Sequence, residues 1–157
     1  MNNYLKFIIS ILLPMIIGGI SGSFTSASIN TWYVTLNKPW FNPPNWIFAP
    51  VWTLLYIMMG IAFYLIWKTE AVNYVKQTAV ILFAAQLLIN FLWSLIFFYL
   101  KQPGWAMLDI ILMWILIIAT IFSFGKISST AAWLMLPYIC WVSFAMILNF
   151  YLWKLNA

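Results

Sequence analysis

Five stretches of this chain, at about 5–26, 46–67, 77–100, 104–125 and 130–153, contain between them only two charged residues, Lys6 and Asp109. Each is about 20 residues or longer, enough at ~1.5 Å per residue to cross ~30 Å of hydrocarbon. The whole chain is only 6% charged and 66% hydrophobic, against about 25% charged in a soluble domain. It therefore cannot cover a water-facing surface. Long apolar runs satisfy their backbone inside a bilayer as helices rather than as barrel strands. The sequence predicts an all-α membrane protein, one domain over 1–157, built as a bundle of five transmembrane helices.

Absences narrow the chemistry. No histidine is present, so a Ser-His-Asp triad, a His-based zinc site and His-ligated haem are excluded. The single cysteine, Cys140, rules out an internal disulfide or a cysteine cluster for metal and is expected to be a small buried residue. The only carboxylates are Glu70 and Asp109, and the seven basic residues are all lysines, scattered singly. Lone lysines beside apolar runs mark membrane flanks, not a nucleic-acid surface. Lys6 with the apolar stretch 7–20 and "SAS" at 26–28 has the outline of a signal peptide. The run continues to about Phe24, long enough to span, and is read as a retained first helix.

The breaks "KTEAVNYVKQ" (68–77), "KQPG" (101–104) and "GKISST" (125–130) are short, so successive helices run antiparallel. Four lysines (6, 68, 76, 126) then fall at one end and three (38, 101, 154) at the other, a small bias toward a cytoplasmic N-terminus. The connection after the first span is different. "SINTWYVTLNKPWFNPPN" (28–45) is long and aromatic, and Pro39, Pro43 and Pro44 forbid a continuous helix. Asn30 or Thr31 is placed to cap a short helix to about Leu36. This segment is expected to fold as a lid on one end of the bundle.

Gly18 and Gly22 make a G-x-x-x-G pair, which serves either a homodimer face or packing within the bundle. Phe48, Trp52, Tyr56, Phe63 and Trp67 follow helical spacing, as do Gln86, Asn90, Trp93 and Phe97, and Tyr138, Trp141, Ala145 and Leu148. Packing and interfacial anchoring account for Trp67, Trp105, Trp133 and Trp153, near span ends. They account less well for Gln86, Asn90 and Asp109. An Asp at the centre of a membrane helix costs about 2.5–3.5 kcal/mol, so Asp109 should turn inward and find a donor, an indole N–H or Asn90. Two readings remain open: a polar tie between helices, or a ligand pocket whose floor joins these groups to Trp52, Trp93 and Trp141. The stretch "LNFYLWK" has Leu148, Tyr151 and Lys154 at a spacing proposed for cholesterol contact, a weak pattern that snorkelling of Lys154 also explains.

The ordered segments "WYVTLNKPWFNPPNWIFAPVWTLLYIMMGIAFYLIW" (32–67), "QLLINFLWSLIFF" (86–98), "GWAMLDIILMW" (104–114) and "PYICWVSFAMILNFYLW" (137–153) resemble the TspO/translocator family, the tryptophan-rich sensory proteins or peripheral benzodiazepine receptors. The resemblance covers nearly the whole chain. It implies a five-helix bundle, a homodimer, a multi-pass place in a cell membrane (here a bacterial plasma membrane), and binding of porphyrins, sterols and benzodiazepine- or isoquinoline-type drugs. It also implies light- and oxygen-dependent breakdown of protoporphyrin, with Trp52 and Trp141 at the motif positions that matter for it. By motif, ligand contacts carry over to Tyr33, Trp52, Asn90, Trp93, Asp109, Trp141 and Ala145. Lys154 stands where many relatives have arginine, so sterol transport is not carried over.

The candidate site thus gathers Tyr33, Lys38, Pro43 and Pro44 from the lid. From the spans it takes Trp52, Tyr56, Asn90, Trp93, Asp109, Tyr138, Trp141, Ala145 and Leu148. These are expected to enclose a cavity roofed by the proline-rich segment. Lys38 is placed to meet a propionate, and Asn90 and Asp109 to orient pyrrole N–H groups. No metal and no required cofactor are expected; protoporphyrin or haem would be a ligand. The alternative is a ligand-responsive regulator or a transporter of tetrapyrroles or sterols acting through a membrane partner. The absence of an internal repeat argues against the transporter.

Overall fold

A computed structural model describes residues 2–157. Its helices are α1 (Asn3–Ile29), α2 (Phe48–Lys68), α3 (Asn73–Ser94), α4 (Pro103–Gly125), α5 (Ser129–Leu134) and α6 (Leu136–Asn156), with no strand among the described residues. Five helical segments are long and apolar enough to span: Asn3–Ile29, Asn45–Lys68, Asn73–Tyr99, Pro103–Gly125 and Ser129–Asn156. Every expected span is present, with ends within a few residues of the expected limits. The protein is a multi-pass membrane protein.

The fifth span is not one continuous helix. It breaks at Met135, between α5 and α6, just before Pro137. Proline lacks the N–H that would continue the ladder and its ring clashes with the preceding turn. Ser128 caps α5 by accepting from the Ala131 N–H at 3.3 Å.

Helices α2, α3, α4 and α6 share one core, and α1 lies in the furrow between α2 and α3. The core is aromatic: Phe63 of α2 stacks on Phe83 of α3 with centroids 4.6 Å apart. Two glycines let α1 approach α2. Pro14 offers no N–H to the carbonyl of Ser10, one turn earlier. That carbonyl oxygen lies only 2.8 Å from where a Cβ on Gly60 would be, so the missing side chain makes room for it. Likewise a Cβ on Gly18 would overlap the edge of the Tyr56 ring, 2.3 Å from its nearest carbon. Gly22 has nothing within 4 Å of such a Cβ. The G-x-x-x-G pair is thus divided, one member packing inside the bundle and the other facing open space.

The end of α3 unwinds into a π turn, Leu95–Tyr99, where the Leu100 N–H donates to the Leu95 carbonyl at 2.9 Å. This widening turns both Phe97 and Phe98 inward, 2% and 4% exposed. The Ser28 hydroxyl of α1 donates to the Phe98 carbonyl at 2.8 Å, satisfying backbone freed by the change of register.

The segment between α1 and α2 caps this end of the bundle. Its only helical pieces are single 3-10 turns, Tyr33–Thr35 and Asn45–Ile47. The longer capped helix expected there is absent. Asn30 ends α1, and the Thr31 hydroxyl donates back to the Ala27 carbonyl at 3.0 Å. Both residues complete the helix before them and do not open a new one.

Candidate ligand site beneath and beside the lid

Tyr33 fixes the lid. Its ring is 1% exposed and lies against Phe48, Phe97 and Phe98. Its hydroxyl donates to Asn42 Oδ1 at 2.7 Å, and the Asn42 N–H donates to the Pro39 carbonyl at 3.0 Å. Burial pushes the Tyr33 phenol above its ordinary range, partly offset by the bond to Asn42. The hydroxyl therefore stays a donor. Lys38 lies over the Tyr33 ring, its Nζ 5.0 Å from the centroid and 3.2 Å from the Leu36 carbonyl. Phe41 meets Tyr151 of α6 edge-on at 5.4 Å.

Six expected site residues line the space beneath the lid: Tyr33, Trp52, Trp93, Trp141, Ala145 and Leu148. The indoles of three helices do converge there. The space they leave is only about 20 Å³, about what one water needs. The expected roomy, roofed cavity is absent because the rings fill it. Trp93 stacks on Phe97 at 5.3 Å and donates Nε1–H to Asn149 Oδ1 at 3.0 Å, and Phe48 packs on Trp141 at 6.3 Å.

The room lies to one side. A cavity of about 370 Å³ opens between α1, α2 and α3, within the ~300–1,000 Å³ range of small-molecule pockets. Trp52, Tyr56 and Trp93 line it, with Gly18, Gly19, Gly22 and the small polar residues Ser21, Thr53 and Ser94. Phe48, Trp52, Trp93 and Phe98 line both spaces and form the wall between them. Within that wall Trp52 stacks on Tyr56, centroids 5.6 Å apart and planes 28° apart, with Trp93 at 6.5 Å.

The other expected residues line neither space. Pro43 is half-buried and Pro44 exposed. Asn90 and Tyr138 stand behind the wall in a buried chain of hydrogen bonds. Tyr56 Oη donates to Asn90 Oδ1 (2.6 Å), Asn90 Nδ2 donates to Tyr138 Oη (2.9 Å), and Tyr138 Oη donates to Gln86 Oε1 (2.9 Å). Asn90 Nδ2 also points at Met113 Sδ, 3.7 Å away, so both its donors are occupied. The face Gln86–Asn90–Trp93–Phe97 is buried throughout.

Asp109 does not find the donor expected of it. Its Oδ2 is buried with no hydrogen-bond partner, and so is Trp141 Nε1. Asn90, the other named donor, is committed to Tyr138 and Met113. Cys140 is exposed on the outer face of α6, not buried. The side chain in a membrane-spanning helix can remain apolar in surroundings without being covered by protein.

Sequence reasoning missed Phe98, Asn149 and the small-residue lining from α1. The aromatic stripe of α3 pointed to Phe97, but only the π turn brings its neighbour Phe98 inward as well. The α1 stripe was visible, yet its spacing does not distinguish a packing face from a cavity wall.

Comparison with known proteins agrees with this architecture. A family model described as TspO/MBR matches residues 10–154. The chain is 44% identical to the tryptophan-rich protein TspO of Archaeoglobus fulgidus over 155 residues, 99% of each chain. It is 39% identical to the translocator protein of Bos taurus over 92% of this chain and 86% of that one. It is 38% identical to the tryptophan-rich sensory protein of Cereibacter sphaeroides over 80% and 77%. A lid joined to five spanning helices, aromatic faces turned onto one another beneath it, and these matches along most of its length make the chain a member of the TspO/MBR family.

Proposed function

We propose that the protein is a membrane receptor for porphyrins and related flat hydrophobic ligands, including benzodiazepine- and isoquinoline-type drugs. The observation that carries this is the wall of Trp52, Tyr56 and Trp93 beside a cavity of about 370 Å³, within the size range of small-molecule pockets. Offset stacking of a flat ring on such a face adds ~0.5–1.5 kcal/mol per aromatic pair beyond the burial of area. The lid void alone has no room for a macrocycle. A ligand would therefore take the cavity between α1, α2 and α3 and reach the lid side only where the shared wall yields. A homodimer in a bacterial plasma membrane belongs to the same reading.

The chemistry proposed for Trp52 and Trp141 is electron donation. Light-excited porphyrin takes one electron from an indole and passes it to dioxygen; the superoxide adds to a meso carbon of the porphyrin and the adduct returns one electron to the indole radical cation, so that the net change is addition of O2, which opens the ring. No side chain in either lining is an acid–base catalyst, so hydrolysis and group transfer are poor alternatives.

Protoporphyrin IX titrated into the purified protein should quench tryptophan emission saturably. Trp52→Ala, which removes one stacking partner of the ligand, should weaken binding by up to about tenfold. Unchanged affinity would overturn this placement of the ligand. For the chemistry, loss of light-driven bleaching in Trp52→Phe and Trp141→Phe with binding retained is the expected result. Equal slow bleaching in both variants and in the parent would leave a binding protein only.

A further inference from the structure

We propose that the small space beneath the lid is a dry site for dioxygen, held one side chain away from a ring bound in the larger cavity. The space measures about 20 Å³, little more than a water requires. A diatomic fits it and a macrocycle does not. It lies deep in the protein: Phe97, Leu148, Asn149 and Leu152 of its lining are 2%, 4%, 1% and 1% exposed.

Water has little to hold it there. The surface turned to the space is almost wholly apolar. The Tyr33 hydroxyl donates to Asn42 Oδ1 at 2.7 Å. Asn149 accepts from Trp93 Nε1–H at 3.0 Å and donates its own Nδ2 to the Pro103 carbonyl at 2.8 Å. The other polar groups in the lining side chains are the indole N–H groups of Trp52 and Trp141, which can only donate. Trp141 Nε1 is moreover covered, without a partner. A buried water makes about three hydrogen bonds, and a site that cannot supply them stays dry. The lining atoms of a dry void lack dispersion partners on one side. A small apolar molecule restores those contacts and displaces no hydrogen bond.

Position selects dioxygen among such molecules. Trp52 and Trp141, the proposed electron donors, both line the space, and Phe48, Trp52, Trp93 and Phe98 are its common wall with the larger cavity. A ring stacked on Trp52 from the cavity side is thus separated from the space by one layer of side chains. Dioxygen is held there unreduced, because superoxide would be an unpaired charge among apolar groups. Reduction belongs to the cavity side, where Ser21, Thr53 and Ser94 supply polar groups. The site therefore feeds O2 through the wall into the addition described above, and no bond is made or broken in it.

The choice of dioxygen rests on the photochemical reading, and the dry site does not. The first measurement needs no ligand. Krypton is close to dioxygen in size, forms no hydrogen bond and is located by anomalous scattering. Crystals of the full chain pressurised with krypton should hold it beside Leu148, Leu152 and Trp141. Leu152→Phe, which fills the space, should lose the krypton, and Leu152→Ala, which enlarges it, should gain occupancy. An ordered water in the space, or no krypton in the parent, would overturn the site. The second measurement follows light-driven bleaching of bound protoporphyrin IX as oxygen is lowered. Regained dispersion contacts enrich dioxygen roughly tenfold over solvent, so at limiting oxygen Leu152→Phe should bleach about tenfold more slowly, with porphyrin affinity within about twofold of the parent. The deficit should close when oxygen is raised, which a merely misfolded variant would not show. If the phenylalanine variant fails to fold, Leu152→Ala decides both points, its bleaching persisting to lower oxygen than the parent's. Loss of krypton with an unchanged oxygen dependence would overturn the delivery of dioxygen. A parent protein that binds no porphyrin would remove the receptor reading and the dioxygen role together, while krypton would still decide whether the dry site exists.

Discussion

Replacing Asn90 with leucine tests what joins α3 to α2 and α6. The substitution nearly preserves volume, so the cavity term is small. It removes two short hydrogen bonds, from Tyr56 to Asn90 and from Asn90 to Tyr138, at 2.6 and 2.9 Å. The Tyr56 hydroxyl then loses its Asn90 acceptor in an interior where it is only 5% exposed. Values from soluble proteins, ~1–3 kcal/mol for each stranded buried group, put the loss at roughly 2–5 kcal/mol. In membranes the released groups find other partners, and measured bonds average ~0.6 and reach ~1.7 kcal/mol. The second scale governs here, so Asn90→Leu should cost about 1–3 kcal/mol. The assay is reversible unfolding in mixed micelles, followed by far-UV circular dichroism. A double-mutant cycle with Tyr56→Phe should show coupling of ~0.6–1.7 kcal/mol. If Asn90→Leu lies within about 0.5 kcal/mol of the parent, or the two changes simply add, the network is not a tie.

Gly60→Ala should destabilise by about 1–3 kcal/mol in the same assay, since its methyl meets the Ser10 carbonyl at 2.8 Å. Gly22→Ala, with nothing within 4 Å, should be neutral or slightly stabilising; an equal loss at both positions would refute the packing assignment. Ser28→Ala should cost about 0.5–1.5 kcal/mol by stranding the Phe98 carbonyl, read by the same titration. Because burial raises the Tyr33 phenol, its contribution to lid closure is complete below the ordinary tyrosine range, near pH ~10, and declines as pH climbs above it. Lid amide protection should therefore start to fall only above pH ~10, beyond the change in intrinsic exchange, and Tyr33→Phe should abolish that step. With no histidine to ligate iron, metal-free protoporphyrin should bind at least as tightly as haem in an absorbance titration; a sharp low-spin haem spectrum with much tighter binding would refute this.

Much of the architecture was legible because a bilayer leaves few solutions. Runs of uncharged residues about 20 long can only be spans, and the prolines at 39, 43 and 44 can only interrupt a helix. The inward faces of α2 and α3 followed from spacing alone, since buried positions in a helix recur every three or four residues. The break at Met135 was within reach too: Pro137 marks it in the sequence, and a span long enough to cross concealed it.

Tertiary packing decided the rest. That Trp52, Trp93 and Trp141 meet was foreseeable; that their rings fill the space beneath the lid was not, because void volume depends on how side chains from different helices interlock. Asp109 was expected to be paired, and no periodicity shows whether a donor on another helix comes within reach of its Oδ2. The lid's bond to α6, in which the Asn37 N–H donates to Asn156 Oδ1 at 2.9 Å, links positions 119 residues apart, and two asparagines so placed carry no local signal. Composition and periodicity specify which surfaces prefer lipid and which prefer protein. The distances between those surfaces exist only once the chain has folded, and there the cavity, the unpaired carboxylate and the lid's bond to α6 were decided.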